Sequence, residues 1–407
     1  GGRGFGRFLE YLAVTNKLER LDLGGNRIGG ELMGELCDAL TLNQTVRWLD
    51  ISGNCLGGDG GAQLGRLLAA TSGLQYVDAC ANQLGTEGAD NMVRQMEMNT
   101  TLTDLRLASN CAVGDGAFFL AQCVGFCKQL RSVDLSCNSF DAVAAQELGE
   151  CVMAGGLTSL TKLQLSQNAI GDAGVMRLLI SLGDHRGLTE LNLSYCEVSD
   201  DGAPALGALA ASLPVLETLK FNSNRITEDG FKGFCDWLLV TGTRFKGFCV
   251  EMDGNLVGDA GVGDLAKLVR ASPWLEIISL RGNFFGAAGV REMLELAREC
   301  PHLRELQLRG NDDIIKEGGK KDWETLNELL LERKPHHAHL TRFAGQVVKV
   351  KHVAAARLKR QESYGTVTTA SSPDGRSSPS VGRAPGHWGH FPDGERHDGC
   401  NEGGDAL

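Results

Sequence analysis

A phrase of leucines ending in an asparagine returns about every 28 residues along this chain, first as Leu18, Leu21, Leu23 and Asn26, with Ile28 after it. The asparagine recurs at Asn54, Asn82, Asn110, Asn138, Asn168, Asn224, Asn255, Asn283 and Asn311, and Cys196 takes its place once, so eleven repeats are counted. Such a period commits the chain to stacked units, because one unit cannot bury its apolar face alone. Leu21 and Leu23, like Leu163 and Leu165, alternate inward along a short strand while the residues between them face solvent. The asparagine at the strand's end is expected to bond backbone groups of the turn, since buried polar groups need partners.

The second half of most repeats opens six positions after the asparagine with a glycine: Gly60, Gly88, Gly116, Gly174, Gly202, Gly230, Gly261 and Gly289. Asp172 and Asp259, just before it, suit a helix N-cap, and Leu64, Leu67 and Leu68 or Leu206, Leu209 and Leu213 carry helical spacing. Each unit therefore reads strand, loop, helix. Strands stack about 4.8 Å apart and packed helices roughly 8–10 Å apart, so the two layers must curve with the strands inside.

The phrase from Leu160 through Leu163, Leu165, Asn168 and Ile170 to Gly174 resembles the repeats of the ribonuclease-inhibitor-like class of leucine-rich-repeat proteins. That class includes ribonuclease inhibitor, the Ran GTPase-activating protein, the repeat domains of innate sensors and several ciliary and cytoskeletal proteins. The resemblance covers roughly residues 4–332 and implies an α/β leucine-rich-repeat solenoid, a horseshoe with parallel strands on its concave face and helices on its convex face. It implies little about activity, because members share stacked repeats and little else.

Four segments follow from the pattern. Residues 1–314 form the array, and 315–335 a capping helix with Trp323, Leu326, Leu329 and Leu330 on one stripe, ended by Pro335. Residues 336–361 are basic, and 362–407, rich in Gly, Ser, Pro and His, lack the apolar content to fold. At the start, Phe8, Tyr11 and Leu12 fall in register with Leu64, Leu67 and Leu68, so the chain opens inside a repeat and further repeats or another domain are expected upstream.

The net charge of −11 is unevenly spread. Arg333 to Gln361 holds eight basic and no acidic residues, and the tail three basic and seven acidic, which leaves about −15 on residues 1–332. An acidic array is a poor partner for phosphate backbones, so no nucleic acid is expected, and the partner surface is expected to be basic or mixed in charge. Phe343, Val347, Val350, Ala354 and Leu358 share one face of a helix in the basic segment, a pattern that suits calmodulin or an acidic membrane through residues 343–360, the acidic array itself, or a solvated linker.

Thirteen cysteines, an odd number without paired clusters at the array ends, favour reduced thiols and a cytoplasmic location. No apolar run reaches membrane-spanning length. Enzyme chemistry lacks parts: only His185 and His302 occur within the repeats, and no Gly-x4-Gly-Lys-Ser/Thr phrase appears. Cys123 with Cys127 reads as core, and His336, His337 and His339 lie in an irregular stretch, so neither a metal nor a cofactor is expected.

Binding is expected on solvent-facing strand positions. Four before the asparagine stand Asp22, Asp50, Asp78, Arg106 and Asp134, an acidic stripe with one arginine. Six before it, Trp48 and Tyr76 sit on adjacent strands beside Asp50 and Asp78, an arrangement suited to a Lys- or Arg-bearing partner and equally to a ladder that stabilises the strands. At the other end Arg281, Arg304 and Arg309 suggest a basic patch. The expected function is a non-enzymatic protein-interaction scaffold using the concave face. A GTPase activator resembling the Ran GTPase-activating protein, a sensor repeat domain of an immune-type receptor, and a ciliary or cytoskeletal subunit stand as alternatives. The GTPase-activating family follows its repeats with an acidic tail, where this chain has its basic stretch.

Overall fold

The computed structural model describes residues 2–333 apart from 97, 112–114, 126, 241–247 and 317. The basic segment and the tail lie outside the described residues. Eleven short strands form one sheet: β1 (Arg20–Asp22), β2 (Trp48–Asp50), β3 (Tyr76–Asp78), β4 (Asp104–Arg106), β5 (Ser132–Asp134), β6 (Lys162–Gln164), β7 (Glu190–Asn192), β8 (Thr218–Lys220), β9 (Phe248–Glu251), β10 (Leu275–Ser279) and β11 (Glu305–Gln307). Their spatial order is their chain order, and every pairing is parallel.

Helices alternate with them: α1 (Gly2–Val14), α2 (Gly30–Leu42), α3 (Gly57–Ala70), α4 (Gly85–Met96), α5 (Gly116–Gly125), α6 (Ala142–Met153), α7 (Gly171–Leu182), α8 (Ala203–Ser212), α9 (Glu228–Val240), α10 (Val262–Ala271), α11 (Ala287–Glu299), α12 (Asp313–Lys316) and α13 (Lys320–Glu332). Each packs on the next, and α13 lies against α11 through buried Leu326 and Leu330. The result is a leucine-rich-repeat horseshoe, strands inside and helices outside. Its core is the leucine ladder, with Leu49, Val77, Val133, Leu163 and Leu191 all fully buried.

The asparagines join repeats rather than merely closing a turn. Asn54 donates from Nδ2 to Ile51 O in its own repeat (2.8 Å) and to Leu23 O in the preceding one (3.0 Å). Its Oδ1 accepts the N–H groups of Asn26 (3.0 Å) and Ile28 (2.9 Å). Asn138, fully buried, repeats the pattern with Leu107 O, Leu135 O and the N–H groups of Asn110 and Cys111. Cys196 is a weaker rung: its thiol reaches Leu165 O at 3.2 Å, and its sulfur, a poorer acceptor than an amide oxygen, faces the Asn168 N–H.

A second set of polar side chains ties the helix ends to the strands. Asn43 bonds Leu12 O and Thr15 O from Nδ2 and accepts from Thr45 and Val46; Asn99 likewise donates to Leu68 O and accepts from Thr101 and Leu102. His185 takes over this role in its repeat. Its Nδ1 accepts from Gly187 N–H (3.2 Å), which assigns the proton to Nε2, facing Leu157 O at 3.1 Å.

One sequence expectation needs correction. Asp172 sits in the first turn of α7 yet holds the next repeat, its Oδ1 accepting Ser199 N–H (2.7 Å) and its Oδ2 the Ser199 hydroxyl (2.6 Å). Asp259 does the same with Gly286 N–H (2.7 Å), so these carboxylates fasten neighbouring repeats instead of capping their own helices. Asp141 is a true N-cap, accepting from Val143 and Ala144 at 2.9 Å each. The glycines six past the asparagine serve close packing: a Cβ on Gly60 would stand 2.5 Å from Leu56 Cβ, and Gly88 lies so close to the preceding helix that a Cβ on Gly61 there would stand 2.5 Å from its backbone.

Candidate protein-binding surface

The solvent-facing strand positions form columns because the pairing is in register across the sheet. Arg20, Trp48, Tyr76 and Asp104 face one another on β1 to β4, and Asp22, Asp50, Asp78, Arg106 and Asp134 form the adjacent column on β1 to β5. Trp48 and Tyr76 stack with ring centroids 5.1 Å apart and planes 11° from parallel. Arg20 lies over the other face of Trp48, 4.4 Å from its centroid, and Arg106 over Tyr76 at 5.7 Å. The four side chains form one stack, cation, ring, ring, cation, across four strands.

This changes what the aromatic pair offers. The sequence offers the pair equally to a Lys- or Arg-bearing partner and as a ladder that stabilises the strands, and the chain's own arginines cover both outward ring faces. Ring edges and the neighbouring carboxylates remain accessible. Arg20 was missed from sequence, although its position six before Asn26 places it in the Trp48 column.

The acidic column is partly committed to the backbone. One oxygen each of Asp22, Asp50, Asp78 and Asp134 accepts the N–H two residues on, at Gly24 (3.0 Å), Ser52 (2.8 Å), Cys80 (3.1 Å) and Ser136 (3.1 Å). Asp78 also pairs with Arg106 at 3.6 Å. Burial pushes the Tyr76 hydroxyl above its ordinary pKa, opposed by Arg106 and reinforced by Asp78 and Asp50. Burial and a hydrogen bond to Asp78 likewise hold the Cys80 thiol protonated.

Further along the arc, charges neutralise one another. Lys162 pairs with Glu190 (3.3 Å), which also receives Gln164 (3.0 Å), and Lys220 pairs with Glu251 (3.3 Å). The basic patch expected of Arg281, Arg304 and Arg309 is divided. Arg304 is paired with Glu276 at 3.1 Å, Arg281 lies beside Asp253, which accepts its N–H at 2.9 Å, and Arg309 alone of the three is well exposed. Arg281 Nε is buried without a hydrogen-bond partner.

Among the described residues no group of three His, Cys, Asp or Glu is placed to hold a metal ion, and no helix is long and apolar enough to cross a membrane. The described cysteines are all unpaired thiols. Cys123 and Cys127 are buried core, and burial pushes Cys127 up to about 12. His336, His337 and His339 lie outside the described residues.

The Leucine Rich repeat family profile matches residues 15–31, 42–65, 99–117, 156–179, 186–207 and 299–321. Human NACHT, LRR and PYD domains-containing protein 13 is 29% identical over 149 residues, covering 36% of this chain and 14% of that protein. Mouse ribonuclease inhibitor is 29% identical over 166 residues, covering 34% of this chain and 36% of that protein. The chain thus spans only a minor part of the relatives it matches. Among solved structures, that of a TLR13–ssRNA13 complex superposes on 73% of this chain and 40% of its own, with 19% identity and a TM-score of 0.44.

Proposed function

The chain is a leucine-rich-repeat protein of the ribonuclease-inhibitor-like class, built as a protein-interaction scaffold, and from that premise we propose that it binds its partner, without catalysis, through the concave face of its first five strands. The observation that carries the reading is the stack of exposed Arg20 and Arg106 on the half-buried rings of Trp48 and Tyr76, flanked by Asp22, Asp50, Asp78 and Asp134. Side chains already held against one another in the free protein have less entropy to lose on binding, which is what a recognition centre needs. The column also keeps acidic groups beyond those that Arg20 and Arg106 offset, so the fitting partner is basic or mixed in charge. The central strands, with Lys162, Glu190, Lys220 and Glu251 paired internally, offer less uncompensated charge.

The GTPase-activator reading gains no support from the relatives or the fold. The unpaired thiols favour a reducing, cytoplasmic setting. Contacts with calmodulin or an acidic membrane through residues 343–360 would lie outside the described residues.

Photo-crosslinking residues placed at Asp50, inside the arc, and at Glu147, on the outer face of α6, test the proposal. A partner captured from Asp50 and not from Glu147 supports it; capture from Glu147 alone overturns it. Because the mouse relative is a ribonuclease inhibitor, a purified ribonuclease is the first partner to assay.

A further inference from the structure

A second surface, independent of the concave face, runs along the outside of the first four helices. The residue at the end of each is apolar and stands in solvent: Val14 (80% exposed) closes α1, Leu42 (68%) closes α2, Ala70 closes α3, and Met98 (72%) follows α4 in the same register. One turn back on the same face of α1, α2 and α3 stand Glu10, Asp38 and Arg66, and Arg94 in the last turn of α4 precedes Met98, all four exposed. These helices pack in sequence, so the four end positions are neighbours from one helix to the next. Three intervals of about 8–10 Å make the stripe they form roughly 25–30 Å long.

The order of charges along this stripe is acid, acid, base, base. Reversed and laid against itself, it is complementary at every rung. A two-fold axis parallel to the helices and passing between α2 and α3 brings Glu10 of one copy opposite Arg94 of the other, Asp38 opposite Arg66, Leu42 opposite Ala70, and Val14 opposite Met98. Self-complementarity of this kind, in which residue i meets j and j meets i, is the requirement for an isologous contact.

We propose that this stripe is the contact of a two-fold dimer formed by a second copy of the chain. Existing pairs do not oppose it. Arg66 reaches Asp38 within one copy at 3.0 Å with side chains 47% and 70% exposed, and Arg94 reaches Asp90 at 2.8 Å. Such solvated pairs contribute little and exchange readily. Burial of the four apolar residues supplies the drive, and the charge order fixes the antiparallel register.

The test is a charge swap on the full chain, followed by sedimentation velocity over about 1–100 µM. Wild type is expected to shift from monomer to dimer across that range. A Glu10→Arg, Asp38→Arg chain carries four cations on the stripe and an Arg66→Asp, Arg94→Glu chain four anions, so each alone is expected to dimerise at least about tenfold more weakly. Mixed in equal amounts, the two are expected to form a heterodimer at wild-type concentrations. All four positions are exposed, and unchanged circular dichroism confirms that the variants fold. A wild type that stays monomeric, variants that dimerise unimpaired, or a mixture that stays monomeric each overturn the proposal.

Discussion

Arg20 covers the outer face of Trp48, its guanidinium carbon 4.4 Å from the ring centroid, so the first two strands of the array are joined on their solvent side by a cation against an aromatic face. A double-mutant cycle with Arg20→Ala and Trp48→Ala is expected to give a coupling of about 0.5–1 kcal/mol in denaturant unfolding. A coupling of zero would mean that the two side chains are merely adjacent.

The asparagine ladder makes opposite predictions at two of its rungs. Asn138→Ala leaves the N–H groups of Asn110 and Cys111 and the Leu107 and Leu135 carbonyls without their partner, and is expected to cost roughly 2–4 kcal/mol. Cys196→Asn replaces a weak sulfur acceptor with an amide oxygen while keeping the donor, and is expected to add about 1 kcal/mol. Urea denaturation of both variants checks the pair.

Removing the carboxylate that joins repeats is expected to act at a distance from its own helix. Asp172→Ala frees Ser199 N–H and hydroxyl and is expected to lower stability by about 1–2 kcal/mol, with faster amide exchange in the following loop. Slower or unchanged exchange at Ser199 would contradict the assignment.

The thiols predict a pH dependence. Burial raises Cys111, Cys127 and Cys196 to about 12 from an ordinary value of 9.0, so between those values the folded state holds protons that the unfolded chain has lost. Stability from this source is therefore complete below pH 9.0 and falls as pH rises toward about 12. At neutral pH exposed Cys55 is expected to react with an alkylating reagent well before these three, measured by mass spectrometry.

The fold was legible because it is periodic: leucines two apart and an asparagine after them carry strand, turn and stacking in one local phrase. What the phrase hid lies between repeats. Asp172 has the spacing of a cap on its own helix, yet its partner Ser199 lies 27 residues on. Gly61 carries no sign in the sequence of its neighbour, the backbone of Gly88 in the next helix. Arg304 looked like part of a free basic patch until Glu276, on the neighbouring strand, proved to hold it. At the candidate surface, sequence register placed Trp48 beside Tyr76, and the structure added Arg20 and Arg106 over their faces. No residue pattern names the partner, because its chemistry is written only as the negative of this surface.

The most direct test of the account compares what co-purifies with the full-length wild-type chain and with a Trp48→Ala, Tyr76→Ala, Asp50→Lys variant, quantified by mass spectrometry. The account predicts that one specific protein drops at least about tenfold while the variant remains folded. An unchanged set of partners would contradict it and remove the first concave strands from recognition.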